Sequence, residues 1–442
     1  MISIQNKELH INSPVNNILT IAFPLNDDID TITSENIESE SMEIYQAVYD
    51  GSGLKFGGCI SSEFDVDVFN TAERSFDTSL EGEWIAVKMN MQALTPLYPS
   101  DTLYPSTSLY PGHTIVSDEI LLFAGKIDSV TTDRNNKHKK HIKAYDLMKD
   151  LLEKDCTDII YNGFIHSQVT YHFYALFEVL LANNSYPYER GTFFDEVYDP
   201  NDLTKTLANR NILNDKWDYL QESPTIGSVL RYMSEAAGVF CVVKPTDDAV
   251  QGDLENDQNK YLGLISFITY GTAAETYSRY ESFYDGDGAT VGGYNHLIFN
   301  NHYSYPSSSS QTDPWYKKST YALYQNYDPD TDPRKDYSLY HNPLIWDNVA
   351  GSSNSELALF ARSTGIHARF SKAVPAVELV APGRPWVEVG DKIIVNVIRT
   401  NPDGSYVYNN NQLVVDQVVS WVLSKRTKGI IALSDTITVR GE

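Results

Sequence analysis

Between Leu121 and Glu153 the hydrophobic period of the chain changes, and few folds accommodate that change. Phe123, Gly125, Ile127 and Ser129 alternate onto one face of a strand. A polar tip runs from Asp133 to Lys140, and the chain returns through Ile142 and Ala144, which point away from Lys143. Period-two patterning on both sides of a charged turn predicts a hairpin. Leu147, Met148, Leu151 and Leu152 then share a face only at 3.6 residues per turn. A hairpin closing a small barrel therefore runs straight into a helix at Tyr145–Asp146.

The remaining pattern is mostly strand. Phe64, Val66 and Val68 alternate with acidic residues, and Ile85, Val87 and Met89 oppose Trp84, Ala86 and Lys88. Gly57 and Gly58 suit a bulge or tight bend at a barrel corner. Leu97 to Thr114 holds three copies of a six-residue unit, each with a Tyr-Pro pair. Proline forces Tyr98, Tyr104 and Tyr110 to extended geometry, so this segment is a loop, either docked through its Leu-Tyr pairs on a neighbouring subunit or left mobile in solvent.

In the middle, Val169, Phe173, Leu176, Phe177 and Leu180 follow helical spacing. A second helix carries Ile226, Val229, Leu230, Met233 and Ala237 on one stripe, with Ser223 as its cap, Pro224 at its first position and Gly238 as its stop. Strand Val239–Val243, a turn at 245–248 and the apolar run Leu262–Ile268 come next. Residues 271–345, rich in Tyr, Ser, Asn, Asp and Pro, read as long loops between short strands.

Toward the C-terminus a strand Ile393–Ile398, a loop, a strand Leu413–Leu423, a basic turn at Lys425–Arg426, a strand Gly429–Leu433 and Asp435 follow in turn. Nearer the N-terminus the order is strand Ile85–Met89, long loop, strand Leu121–Val130, charged turn, strand His141–Tyr145 and Asp146. One small barrel used twice accounts for both.

No chemistry is nominated. Elbow, zinc-helix, phosphate-loop and dinucleotide signatures are absent, and Gly286, Gly288 and Gly292 have the wrong spacing for the last. Asp328, Asp330 and Asp332 alternate as calcium ligands can, but Pro329 and Pro333 interrupt them and no Gly or distal Glu completes a binding loop. His166 and His172 read as packed, the basic cluster 137–141 as a solvated tip, and Cys59, Cys156 and Cys241 as neither disulfide framework nor zinc site. The sequence points to no enzyme, cofactor or metal. A net charge of −25 argues against gripping nucleic acid, while an acidic channel would let DNA slide without sticking. No apolar run approaches membrane-spanning length and no secretion signal opens the chain, so synthesis in a cytoplasm is expected.

Several phrases resemble bacteriophage tail hub proteins, the family of the trimeric T-even baseplate hub and of Gram-positive prophage tail proteins. They are G-K-I-D with a basic turn and A-Y-D-L, the phrase Ser34 to Met42 (a strand by this resemblance), L-K-F-G-x-C, PTIGSVLRYMSEAAGVF, PWVEVGDKIIVNV and SKRTKGIIALSDTITVRGE. The resemblance implies an α+β, mainly β chain. An arm and first strand (1–42) would precede a first tube-like barrel (43–146). An α/β middle domain (147–356) and a second barrel (357–442) would follow. Gly57, Gly125, Tyr145, Asp146, Trp386, Gly390 and Asp391 would form the framework. The expected role is a homotrimeric, pseudo-sixfold hub at the virion tail tip. It would contact other tail and baseplate proteins, with DNA only a passenger and no membrane contact. Related proteins often carry a cell-wall hydrolase after the hub; with the second barrel expected to run to Glu442, none is expected here. The alternative is a glycan-binding receptor-recognition protein using the 30 tyrosines, concentrated in 271–345.

Overall fold

The computed structural model describes residues 10, 14–48, 57–72, 74–96, 113–160, 173–189, 224–251, 260–268, 278–284, 290–292, 296–304, 317–325, 336–339, 373–399, 401, 403 and 405–441. The first part is built from β1 (Pro14–Ala22), β2 (Ile32–Thr33), β3 (Glu43–Ala47), β4 (Glu63–Phe69), β5 (Trp84–Pro96), β6 (His113–Thr132) and β7 (Lys139–Tyr145). They lie side by side in the order β2-β1-β5-β6-β7-β4-β3, every pair antiparallel. The alternation read in β4 is realised, with Phe64, Val66 and Val68 fully buried and the acidic residues between them facing outward. Each buried side chain of this size is worth about 1.5–3 kcal/mol. Ile85, Val87, Met89, Phe123, Ile127 and Ile142 join the same core.

The other face of β5 and β6 is also covered. Ala86, Ala124 and Leu121 pack on Leu262, and Trp84 meets Tyr261 edge-on. The phrase Ser34–Met42, expected as a strand, is instead a 3-10 turn at Ser34–Asn36, an Ile37–Val68 bridge and a further turn. Ser41 accounts for the break. Its hydroxyl donates to the Glu38 carbonyl and accepts from the Asp67 N–H, replacing ladder partners.

A helical layer follows. α1 (Leu147–Glu153) starts at Asp146, α2 is Phe173–Leu180 and α3 is Ile226–Ala237. Hairpin β8 (Phe240–Gln251) with β9 (Lys260–Ile268) completes the layer, which shares one core. The predicted stripe of α3 is buried and Gly238 ends the helix at φ +69°. Its cap is Thr225 rather than Ser223: the Thr225 hydroxyl accepts from Ser228 N–H while the Ser228 hydroxyl accepts from Thr225 N–H, a reciprocal pair that starts the helix at Ile226. No turn interrupts 245–248; β8 continues through it with a register shift between Pro245 and Val250.

The chain then adds β10 (Ser278–Tyr284), β11 (Thr290–Gly292) and a three-stranded sheet of β12 (His296–Ser304), β13 (Lys317–Gln325) and β14 (Asp336–Leu339). It closes with β15 (Ala373–Pro382), β16 (Lys392–Ile398), a small hairpin of β17 (Tyr408–Asn409) and β18 (Gln412–Leu413), β19 (Val415–Lys428) and β20 (Ser434–Gly441). Here two expectations are corrected. Lys425 and Arg426 lie inside β19, and Gly429–Leu433 is the turn, with Gly429 at φ +77°. Lys425 tolerates a strand interior because its ammonium donates to the Arg384 and Val387 carbonyls and pairs with Asp435 at 3.5 Å.

The closing strands lie in the order β10-β16-β19-β20-β15-β11. Position by position this matches β1-β5-β6-β7-β4-β3, and the chain visits both sets in the same sequence. Only β10, parallel to β16 where β1 is antiparallel to β5, departs. Strand pairing therefore runs across the limits expected at residues 42 and 356, since β1 pairs with β5, β10 with β16 and β11 with β15.

Candidate functional site

The two strand sets meet along one seam. β3 pairs with the second half of β19, Ser424 opposite Ala47 through Lys428 opposite Glu43, and on its other edge with β4. The Glu43 carboxylate sits 2.6 Å from Arg426 and 2.7 Å from Lys428, and Arg426 covers the Tyr45 ring. Both cations are about half exposed, so each pair is worth at most about 1 kcal/mol. Burial contributes more. Ile430, at the tip of the β19–β20 turn, is 2% exposed and enters the core of the first set. Its N–H donates to the Ser39 carbonyl and its own carbonyl accepts from Asn17 Nδ2.

Beside the seam the two sets correspond residue by residue. Gly82 N–H donates to the Ile127 carbonyl at 2.8 Å, and Ile127 N–H to Glu83 at 2.9 Å; Gly390 and Asp391 hold Val422 the same way, at 2.8 and 3.0 Å. The two glycines share φ values of +90° and +89°. A bulge follows at once in each, between Ile127 and Ser129 and between Val422 and Ser424. Trp84 opposes Lys126 where Lys392 opposes Trp421, the same pair exchanged across the ladder. The segments read G-E-W-I-A-V (82–87) and G-D-K-I-I-V (390–395), with Ile85, Val87, Ile393 and Val395 all buried.

The edge of β19 that receives β3 thus has a counterpart at Ser129–Thr132 of β6. Among the described residues no strand pairs there. Val130 N–H is instead taken by Glu81 Oε1 at 3.1 Å. An open groove of about 340 Å³ adjoins it, lined by Glu81, Gly82, Lys126, Asp128, Tyr145 and Lys149 among others.

The seven predicted framework residues do not converge on one site. Gly57 (φ +84°) threads against α3, where a Cβ would lie 2.7 Å from the Arg231 carbonyl. Gly125 admits the close approach of the Tyr145 carbonyl, 2.3 Å from where a Cβ would stand. The Tyr145 ring lies under Lys149, 4.1 Å from its ammonium. Asp146 is 4% exposed and caps α1, accepting from Met148 N–H, Ser62 N–H and Ser61 Oγ. Burial pushes its pKa up to about 6, against the opposing pull of those donors. Trp386 packs against the cores of both strand sets. Gly390 and Asp391 form the pairing turn already described.

Asp146 and Asp435, matched in the sequence, are not counterparts: Asp435 opposes Thr427 near the start of β20, while Asp146 follows the end of β7. The sequence reading missed Glu81, Gly82, Glu43 and Ile430; the doubled Gly-acid-x-Ile-x-Val phrase was the available signal for Gly82.

Other candidates carry less. The three cysteines are buried and free, and burial holds the Cys156 thiol up at about 12. Among the described residues no group of three or more His, Cys, Asp or Glu could hold a metal, and no helix is long and apolar enough to cross a membrane. Tyr98, Tyr104, Tyr110, His166, His172, Asp328, Asp330 and Asp332 lie outside the described residues, as do the side chains of 271–345.

No known family profile matches the sequence, and no curated protein matches it. Among solved structures the chain is similar to the 43 kDa tail protein of prophage MuSo2 from Shewanella oneidensis, at 10% identity and a TM-score of 0.46, covering 96% of this chain and 98% of that one. It is similar to a chain of a Francisella PdpA–VgrG complex, at 10% identity and a TM-score of 0.37, covering 97% of this chain and 53% of that one. It is also similar to an E. coli component of the type VI secretion system, at 9% identity and a TM-score of 0.32, covering 92% and 74%. The structural neighbours are thus a prophage tail protein, a chain of a PdpA–VgrG complex and a type VI secretion component described as structurally similar to T4 bacteriophage tail proteins.

Proposed function

We propose that this chain is a structural hub at the tip of a phage or prophage tail, acting as a homotrimer. The observation that carries the reading is the doubled six-strand set joined edge to edge through β3. One joint is made inside the chain. Its counterpart at β6 has no strand partner among the described residues, and neither does the edge of β11 away from β15. A second copy offering β11, the counterpart of β3, to β6 continues the wall by the same rule, and three copies give six similar modules in a closed ring, the heterologous contact that closes by rotation. In this reading the acidic chain lines or flanks a DNA passage, repelling the phosphates that pass. Its work is mechanical, with tail tube and baseplate proteins as partners and the virion as its place.

Negative-stain imaging of purified protein, and of tails labelled on this chain, tests the proposal. Threefold rings with a central opening, and label at the tail tip, are expected. Label elsewhere on the tail, or assemblies without an opening, overturn it.

A further inference from the structure

Val130 and Lys425 occupy the same place in the two strand sets. Each follows the serine after the bulge, and each opposes a fully buried isoleucine, Ile142 or Ile437. In the second set Lys425 lies opposite Gln46 of β3, so the edge is filled by a strand. In the first set Val130 N–H meets the side chain of Glu81. The residue standing where Glu81 stands is Val389, which has no acceptor to offer. The surroundings differ in the same sense. Among the described residues a Cβ on Gly82 would meet nothing within 4 Å, whereas one on Gly390 would meet Ile268 Cδ1 at 2.7 Å. The first set has open space where the second is packed.

We propose that Glu81 guards the β6 edge against premature pairing and is displaced when an extended strand of a second copy of this chain docks on Ser129–Thr132. The inference rests on the hub reading for its partner, and continuity with the β3–β19 seam supplies the occupant. An exposed strand edge is a template for association, and proteins blunt such edges with charge. Here the carboxylate satisfies the edge N–H and places a charge where an incoming backbone must lie. Docking requires Glu81 to swing into the groove or solvent, surrendering a hydrogen bond to a charged acceptor.

The test compares the full chain with Glu81→Val, the residue of the second set, and Glu81→Gln, which keeps an acceptor without the charge. Sedimentation velocity over a concentration series reads association, and hydrogen exchange of peptides spanning 128–133 reads the edge. Glu81→Val should associate at about tenfold lower concentration than the parent, a shift equivalent to about 1.4 kcal/mol, with Glu81→Gln between them. Its 128–133 amides should exchange faster when dilute and become protected as it associates. Faster exchange with unchanged association makes Glu81 a local cap only and overturns the inference, as does no change in either. Enhanced association into particles without a central opening leaves the guard standing and sinks the ring.

Discussion

Asp146 ties the end of β7 to the first turn of α1, and its titration should be readable in the stability of the whole protein. The carboxylate accepts from Ser61 Oγ at 2.8 Å, Ser62 N–H at 2.9 Å and Met148 N–H at 3.0 Å. Those donors favour the charged form, yet burial outweighs them and lifts the pKa to about 6. In the unfolded chain an aspartate titrates near 3.9. As pH falls, the folded state therefore takes up the proton first, and stability from this group rises from pH 7 through 6 and levels off below about 4. A gap of about two units corresponds to a cost on the order of 3 kcal/mol for holding the ionised form in the fold. Roughly 1 kcal/mol of that is recovered between pH 7 and pH 5.

Asp146→Asn removes the titration, and using it as the reference cancels groups common to both proteins. Asp416, held low by Arg399, and Asp403, held low by Ser405, lose their stabilising contribution only in more acidic solution. Scanning calorimetry at pH 7 and pH 5 should find the parent gaining on the variant. The Tm difference should shift by on the order of 3 °C if the cooperative unit is about 150–250 residues. A difference that stays constant or moves the other way refutes the claim that burial dominates at this site.

The glycine pair offers a matched comparison. Gly82→Ala meets only the left-handed backbone penalty, about 1–2 kcal/mol, while Gly390→Ala must also turn Ile268 aside, a further 0.5–1.5 kcal/mol or so. Equal losses of Tm in the two variants would contradict the open-versus-packed distinction. Lys425→Ala, which strands the buried Asp435 carboxylate and two carbonyls, should cost about 3–5 kcal/mol; a loss under about 1 kcal/mol by thermal denaturation would mean the buried pair is not held as described.

Much of the strand content was legible because its physics is local. The alternation in β4 and β5, the switch of period at Asp146, and the stripe and glycine stop of α3 need no distant partner. Readings failed where a distant group decides. Lys425 and Arg426 look like a turn until two carbonyls some forty residues away satisfy Lys425 and Glu43 faces Arg426 from the far end of the chain. The resemblance implies a strand at Ser34–Met42, but Ser41 diverts the backbone toward Asp67. The assignment of one module used twice followed connectivity; the residue match it attached was displaced because the turn was put at Lys425 rather than Gly429. Neither the seam nor the open edge is visible in any window of sequence, since each depends on which strand lies beside which.

The differences between the two strand sets are as informative as their agreement. Where both face their own cores the residues remain alike: Ile85 with Ile393, Val87 with Val395, Ile142 with Ile437. Where they face different neighbours the residues part. The second set presents Arg426 and Lys428 to Glu43 of β3, which belongs to the same molecule and is always within reach. At the corresponding positions the first set carries Thr131 and Asp133, with Glu81 laid across the edge between them and the bulge. A permanent neighbour permits attractive charge along the whole edge, because pairing is never in competition with isolation. An edge that must stay unpaired until assembly requires a satisfied N–H and a charge that an incoming strand has to displace. In the assembly we propose, the same backbone serves as a fixed joint at one end of the chain and as a conditional one at the other, with the side chain at position 81 or 389 marking which is which.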